Sequence, residues 1–553
     1  METAAHSHPP EASRQGSAPW LILALMILAA PLFLGMPLTN DAVFFDLQTR
    51  LFSQGNVPYR DILEPNWPGV FWVHQLVRGC CGRSSEALRA FDLICLVYCC
   101  GMSRQLAIRS GASHRGANWL VLAFTAFYLG CTEWCHCQRD FWLLAPILTA
   151  TWLRLFRVGR AMSPVAYILL AISEGATWGA AVWLKPYSGL VALTAGITSW
   201  PLIPRGRKTL DVVATILGGT AGLFSGYLWL RQTGALSSWL ETMRIWNPRY
   251  LSAGRENWTW PRFRNMALRM QPWYGLHLLA IPIAARIFAT FVRTLRRPPG
   301  HASSDSSFDQ ATLRQGTTAM LASVYVATMV HVFVFQHLFD YVHAPGVLLA
   351  LVVVGTWLAQ PERSSNWKFA VLLFGGLAAL YSPLIKPERL QLWGDCVQQP
   401  SSAKLQDRLA LLANPQRIHI ERVAQFLHEQ HAGPREVLAY NSDLVSLYEL
   451  QNGRPPTRFV YVHELLTYFP NQRKEILADV QNSNPRFVVT DLVGCGMSYR
   501  DAMEIGPDGP NAPPPRYQAR KRQTFPWTYP VVFRSGAYLV HEAPAHPGKR
   551  TPQ

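Results

Sequence analysis

The sequence predicts a polytopic α-helical membrane protein of about eleven transmembrane helices with a C-terminal extracytoplasmic α/β domain. Three observations carry that prediction. Of 553 residues, 49% are hydrophobic and only 15% charged, against about 25% charged in soluble proteins. The mean hydropathy of +0.07 averages two unlike parts: residues 19–384 run mostly as long apolar segments, whereas 385–553 read as a soluble tail. Much of the net charge of +17 falls in short loops between apolar runs, the pattern of the positive-inside rule rather than of nucleic-acid binding. A disordered chain, a coiled coil and an ordinary cytosolic enzyme are excluded.

Residues 1–18 are polar, contain Pro9, Pro10 and Arg14, and are expected to form a disordered cytoplasmic N-terminus. Trp20–Leu38 is long enough to cross a ~30 Å hydrocarbon core. No small-x-small cleavage site follows it, so an uncleaved anchor is expected. Further spans are expected at 87–107, 117–132, 141–157, 164–184, 188–203, 210–231, 272–292, 316–336, 342–359 and 367–384. The apolar run 67–81 is interrupted by His74, Gln75 and Arg78 and suits an interfacial helix. A second interfacial helix is expected over 41–54, with Asn40 as its N-cap and Asp41 in its first turn.

This register puts Arg104, Arg109, Arg115, Arg154, Arg157, Arg160, Arg205, Arg207, Lys208, Arg293, Arg296, Arg297, Arg314, Arg363 and Lys368 in short inner loops, and only Arg139 and Lys185 in short outer turns. The N-terminus is then cytoplasmic and residues 385–553 lie outside. Eight of the ten cysteines sit in or beside apolar segments, where they act as small hydrophobes. Cys131-x3-Cys135-His136-Cys137 matches no standard zinc framework and reads as helix-end packing. Cys396 and Cys495 in the tail are able to pair in an oxidising space, but their separation in sequence leaves the geometry open.

The same register gathers polar residues on the outer face. They are Asn40, Asp41 and Asp46; Glu133, Gln138, Arg139 and Asp140; Lys185; and Gln336, His337, Asp340, Tyr341 and His343. Ionisable groups at membrane depth are costly and mark functional sites. Singly, each has a plainer reading: Lys185 as a snorkelling anchor, Tyr341 and His343 as interfacial packing. Four turns converging on one face favour a site.

Asp41-x3-Phe45, the stretch Leu51-Phe52-Ser53-Gln54-Gly55-Asn56-Val57-Pro58-Tyr59-Arg60-Asp61, and Pro65-Asn66-Trp67-Pro68-Gly69 together resemble the first outer loop of GT-C fold glycosyltransferases. That family, which includes protein mannosyltransferases and the lipid A aminoarabinose transferase, takes sugars from polyprenyl-phosphate carriers. It also places a second acidic residue in the next outer loop, where this chain has Gln138-Arg139-Asp140, and Gln336 to Pro345 is similar to the donor-site turn of bacterial relatives. The layout covers residues 19–384, but the specific motifs fill only the first two outer loops. Two positions depart from the pattern: Ala42 stands where an acid often follows the first Asp, and Phe45 replaces a Tyr. Asp46, about a helical turn from Asp41, is the candidate substitute for the missing carboxylate.

The resemblance implies a membrane glycosyltransferase in the bacterial plasma membrane. Its donor would be a polyprenyl-phosphate-linked sugar, its acceptor a hydroxyl of a lipid, glycan or protein on the extracytoplasmic face, with no nucleic-acid partner. Asp41 is the candidate general base. Asp140 is the second catalytic carboxylate, orienting the acceptor or holding a divalent cation together with Asp41. Arg139, Lys185, Gln336, Tyr341 and His343 are candidates for binding the donor phosphate. The outer loop 232–271, with Trp239, Trp246, Trp258 and Trp260 among arginines, reads as an amphipathic segment on the membrane rather than a sugar platform.

In the tail, helices are expected over 418–431 and 465–480, and strands at 437–440 and 486–490. A hairpin is expected around Ser535-Gly536. A transporter or lipid flippase is the alternative, favoured mainly by Ser173 and Glu174 inside the fifth span. A non-catalytic scaffold presenting the tail is the third reading.

Overall fold

The structure, a computed structural model, describes residues 18–158, 160–296, 310–360, 374–378, 380–382, 386–506, 509, 512–517 and 525–544. The expected N-terminal segment and the run 367–384 therefore lie wholly or largely outside the described residues.

Helix α1 (Ala18–Gly35) is followed after a bend of 63° by α2 (Asn40–Ser53). Pro37 sets the break, because proline disfavours helical geometry at the residue before it. The N-cap is Thr39, not Asn40; its backbone is extended and its buried hydroxyl makes no capping bond. Asp41 lies in the first turn as expected. Helix α3 (Gly69–Cys81) has 13 residues, about 20 Å of helix and too short to cross a bilayer. A Cβ on Gly69 would sit 2.6 Å from the Trp183 carbonyl oxygen, so only glycine lets this helix start so close to a span.

The next elements are α4 (Ser85–Arg109), α5 (His114–Leu129), α6 (Arg139–Trp142), α7 (Leu144–Val158), α8 (Pro164–Leu184), α9 (Ser188–Ser199) and α10 (Lys208–Gln232). After α11 (Leu236–Glu241), α12 (Asn247–Glu256) and α13 (Trp260–Arg269) come α14 (His277–Arg296), α15 (Gln310–Phe335) and α16 (Asp340–Leu358). Seven helices among the described residues are long and apolar enough to cross a membrane, or eight if the bent α1–α2 pair counts as one span. The protein is an integral membrane protein. The runs expected at 117–132 and 188–203 form helices of only 16 and 12 residues, the second stopped by a 3-10 turn at Trp200–Leu202 that contains Pro201. The count of eleven is thus not reached by length and composition alone.

Helices α8 and α10 pack almost backbone to backbone. An added Cβ on Gly175 would meet the Thr215 carbonyl at 2.0 Å, the close approach that small residues permit between membrane helices. Beside this contact lies a buried quartet of charges. Arg154 Nε donates to Glu174 Oε1 at 2.7 Å and Arg157 bonds the other Glu174 oxygen. Both arginines also reach Asp211, at 3.3 and 2.7 Å, and the Tyr167 hydroxyl donates to it at 2.6 Å. Arg154 and Arg157 are therefore not solvent-loop charges as the sequence suggested; their counter-ions come from α8 and α10.

The tail carries a four-stranded sheet in the order β1-β2-β4-β3. Strand β1 (Val437–Ala439) runs parallel to β2 (Phe487–Asp491), and β3 (Val531–Ser535) forms a hairpin with β4 (Tyr538–Glu542). The helix expected over 465–480 is split into Val462–Tyr468 and Arg473–Ser483, because Pro470 cannot continue the first. Cys396 packs with Leu32, Met36 and Leu405, whereas Cys495 contacts Asn441 in a different cluster, so the two do not pair with each other.

The tail is seated on the membrane part. Arg50 of α2 donates to the backbone carbonyls of Tyr448 and Gly453 at 3.2 and 2.7 Å and to Asn452 Oδ1 at 2.8 Å. Trp246, 1% exposed, is held between Phe459 and Phe469. Half of the 232–271 loop is thus a dock for the tail; Trp258 and Trp260 remain exposed.

Breaking a buried ion group by removing one partner costs about 3–5 kcal/mol. Glu174→Ala should lose stability of that order in detergent unfolding experiments, whereas Ser173→Ala, on the exposed side of α8, should shift it by less than about 0.5 kcal/mol.

Candidate active site

Three helix boundaries aim the polar residues. Lys185 precedes Pro186, which forces it out of the α conformation and ends α8, with φ −150° and ψ 121° at the lysine. Its ammonium donates to Asp140 Oδ1 at 2.5 Å and to Gln336 Oε1 at 2.7 Å. Asp140 opens α6, where the helix dipole favours a carboxylate, and Gln336 follows the end of α15. Arg139 bonds Asn66 Oδ1 and stands 4.0 Å from the other Asp140 oxygen. Tyr341, Arg139 and Asp140 all act on the Asp41 carboxylate. Six of the residues expected from sequence are therefore assembled at one end of the spans: Asp41, Arg139, Asp140, Lys185, Gln336 and Tyr341.

His343 is not among them. Its imidazole is buried inside α16 against Tyr274, whose hydroxyl lies 3.1 Å from Nδ1, and against Phe333. Asp46 is also withdrawn: His74 and Arg78 hold it at 2.6 and 2.9 Å, which fastens α2 to α3 and removes it as a substitute carboxylate. Glu133 pairs with Arg89 and Arg389, and Asp340 with Arg269. His337 contacts the Tyr250 carbonyl at 3.0 Å.

Two residues that sequence reasoning passed over complete the wall. Glu64, fully buried, accepts the Asn66 amide at 2.8 Å and Gln48 Nε2 at 3.1 Å. It thereby fixes the asparagine that receives Arg139. Asn247 Nδ2 donates to the Pro65 carbonyl at 2.7 Å and ties the same loop to α12. The signal for Glu64 was its place immediately before the Pro65-Asn66-Trp67-Pro68-Gly69 motif, without any periodicity to indicate burial.

A crevice lined by Asn66, Trp67, Arg139, Lys185, Tyr250 and Gln336 holds about 30 Å³, room for a single water. A sugar phosphate needs its walls to part. Asp140 Oδ2 and Gln138 Nε2 are buried without a hydrogen-bond partner, the condition of polar atoms awaiting a ligand or water. The donor set does not fit a divalent cation. Asp140 lies between two cations, and among the described residues no group of three or more His, Cys, Asp or Glu side chains is placed to hold a metal ion.

Burial lowers Lys185 to about 8 even with the Asp140 carboxylate beside it. Burial raises Asp41 above the ordinary carboxylate value, against the Tyr341 hydrogen bond and Arg139, which pull it down. Burial raises Glu64 likewise.

The helical layout is that of the GT-C fold. No family model and no curated protein sequence matches the chain. Among solved structures, ArnT from Cupriavidus metallidurans bound to undecaprenyl phosphate is similar with a TM-score of 0.56 at 14% identity, over 96% of this chain and 98% of that one. The same protein in its apo state gives 0.52 at 14% identity, over 95% and 98%. A weaker likeness, with a TM-score of 0.44 at 9% identity over 86% and 70%, is to the oligosaccharyltransferase AglB from Archaeoglobus fulgidus.

The ionisations set a pH window. A phosphate ligand should bind well while Lys185 is protonated and lose affinity as pH rises through about 8. Tyr341→Phe removes a hydrogen bond that lowers Asp41, so the acid limb of any activity should move to higher pH. Binding titrations and pH–rate profiles read the two effects separately.

Proposed function

We propose that this protein is a glycosyltransferase that moves a sugar from a polyprenyl-phosphate carrier to an acceptor hydroxyl on the extracytoplasmic face of a bacterial plasma membrane. The observation that carries this reading is the meeting of two carboxylates, Asp41 and Asp140, with two cations, Arg139 and Lys185, at one end of the spans. The shared fold with ArnT, crystallised with undecaprenyl phosphate, supports the class of donor. The acceptor is a lipid, glycan or protein hydroxyl.

The residues divide the chemistry. The acceptor oxygen attacks the anomeric carbon and forms the new C–O bond. Asp41 takes the proton that the hydroxyl loses. The bond from the anomeric carbon to the phosphate oxygen breaks, and the carrier phosphate leaves with that electron pair. Arg139 and Lys185 stand where the growing negative charge is stabilised, and Gln336 and Asp140 keep the lysine aimed. No step requires a metal.

The orientation belongs to the same proposal: eleven crossings, a cytoplasmic N-terminus and residues 385–553 outside. A phosphatase fused after Gln553 should be active only if the tail is extracytoplasmic, and a cytoplasmic reporter signal there would overturn the assignment. A transporter needs ionisable groups free at mid-depth, but Glu174 and Asp211 are already held by two arginines. A scaffold would tolerate loss of Asp41.

Incubation of membranes with labelled polyprenyl-phosphate sugars tests the reaction class. Asp41→Asn keeps the side-chain shape but cannot take a proton, so transfer should fall by roughly 10²–10⁴-fold. Donor binding should survive, because the cations remain. Near-normal transfer by this variant would remove the base assignment.

A further inference from the structure

At the end of the helix bundle away from the carboxylates lies a cavity of about 350 Å³. Its position follows from helix direction. The cavity is lined by Ser110 and Gly111 after the end of α4, by Arg314 and Gln315 near the start of α15, by Trp357 at the end of α16, and by Arg286 of α14. Helix α15 finishes beside Gln336, and α16 begins at Asp340, both at the opposite, catalytic end. The volume is in the range of small-molecule sites. It is more than ten times that of the crevice beside Lys185.

The chemistry of the lining is one-sided. Two arginines, Arg286 and Arg314, face the cavity, and among the described residues no carboxylate lines it. Neither arginine is in an ion pair among the described residues. Gln315 spends its carbonyl oxygen on the Thr294 hydroxyl at 2.5 Å, which leaves its amide N–H groups as donors. A planar guanidinium fork donates two parallel, charge-assisted hydrogen bonds to a pair of phosphate oxygens. Ile287 and Trp357 supply apolar wall next to these donors. Val292 and Leu295, further along α14, are exposed, as expected of a helix facing lipid. A polar, cationic recess bordered by lipid-facing helix suits the phosphate end of an amphiphile.

We propose that this cavity binds a phosphate group, presented by the headgroup of an anionic phospholipid in the leaflet remote from Asp41. The site is separate from the transfer reaction and stands or falls independently of it. A lipid seated here bridges α4, α14, α15 and α16.

The test is native mass spectrometry of the full-length protein in detergent, titrated with phosphatidylglycerol, with phosphatidylcholine and with inorganic phosphate in separate arms. The wild type should retain phosphatidylglycerol, and the R286Q/R314Q double variant should retain it about tenfold less or worse, since each lost guanidinium removes charge-assisted bonds. Phosphatidylcholine should show no such difference. R286K/R314K, which keeps the charge, should retain more phosphatidylglycerol than the glutamine pair. D41N should bind like the wild type, which separates this site from the catalytic one. Dependence of inorganic phosphate alone on the arginines would uphold the anion site and assign it to a soluble phosphate. Equal retention of both ligands by the wild type and R286Q/R314Q overturns the proposal. If the glutamine pair fails to purify as a single species, the exposed single substitution R314Q is read by the same criteria.

Discussion

A lysine at the end of an apolar helix, cut off from water, has to find a carboxylate or give up its proton. Lys185 finds Asp140, and with Gln336 it draws together the end of α8, the head of α6 and the exit of α15. These segments lie far apart in sequence. The remaining site depends on this junction. Arg139 neighbours Asp140, so its guanidinium is delivered to Asn66, and Asn66 is held in turn by Glu64. Asp41 lies close enough to Arg139, Asp140 and Tyr341 to feel the charge or hydroxyl of each. One buried ion pair therefore sets the spacing between the proposed base and the proposed phosphate ligands.

Much of this arrangement is legible in the sequence because membrane topology is a one-dimensional problem. Apolar runs fix which turns share a face, and that alone brings Asp41, Arg139, Asp140, Lys185, Gln336 and Tyr341 into one neighbourhood. What the sequence hides is rotation about a helix axis and pairing at a distance. His343 is two residues beyond Tyr341, about 200° around the helix, and so turns toward Tyr274 instead of the site. Arg154 and Arg157 resemble loop charges until α8 and α10 supply Glu174 and Asp211. Glu64 sits in a proline-rich loop where no periodicity announces burial. The span count differs for a related reason: eleven apolar runs are legible in the sequence, whereas a length criterion passes over α5, with 16 residues, and α9, stopped after 12 residues by the turn at Pro201.

The two buried ion clusters divide the labour of the membrane part. The quartet around Glu174 is closed, with each carboxylate matched by two guanidinium groups and further donors, which is the condition for rigidity in a low-dielectric interior. The outer cluster is left incomplete, with Asp140 Oδ2 and Gln138 Nε2 unsatisfied. A protein that keeps its structural charges saturated and its reactive ones underused gains a stiff frame around a site that prefers to be filled.

Arg50 fastens the tail to α2 chiefly by gripping the main-chain carbonyls of Tyr448 and Gly453. Carbonyls are present whatever the side chain, so this grip recognises the path of the loop rather than its spelling. Residues around that contact are free to vary in identity as long as the backbone keeps its course. The joint is thus suited to exchange: a foreign tail carrying the same loop shape is acceptable to this socket, and the membrane part is able to acquire a new outer cap without redesign of the surface that receives it.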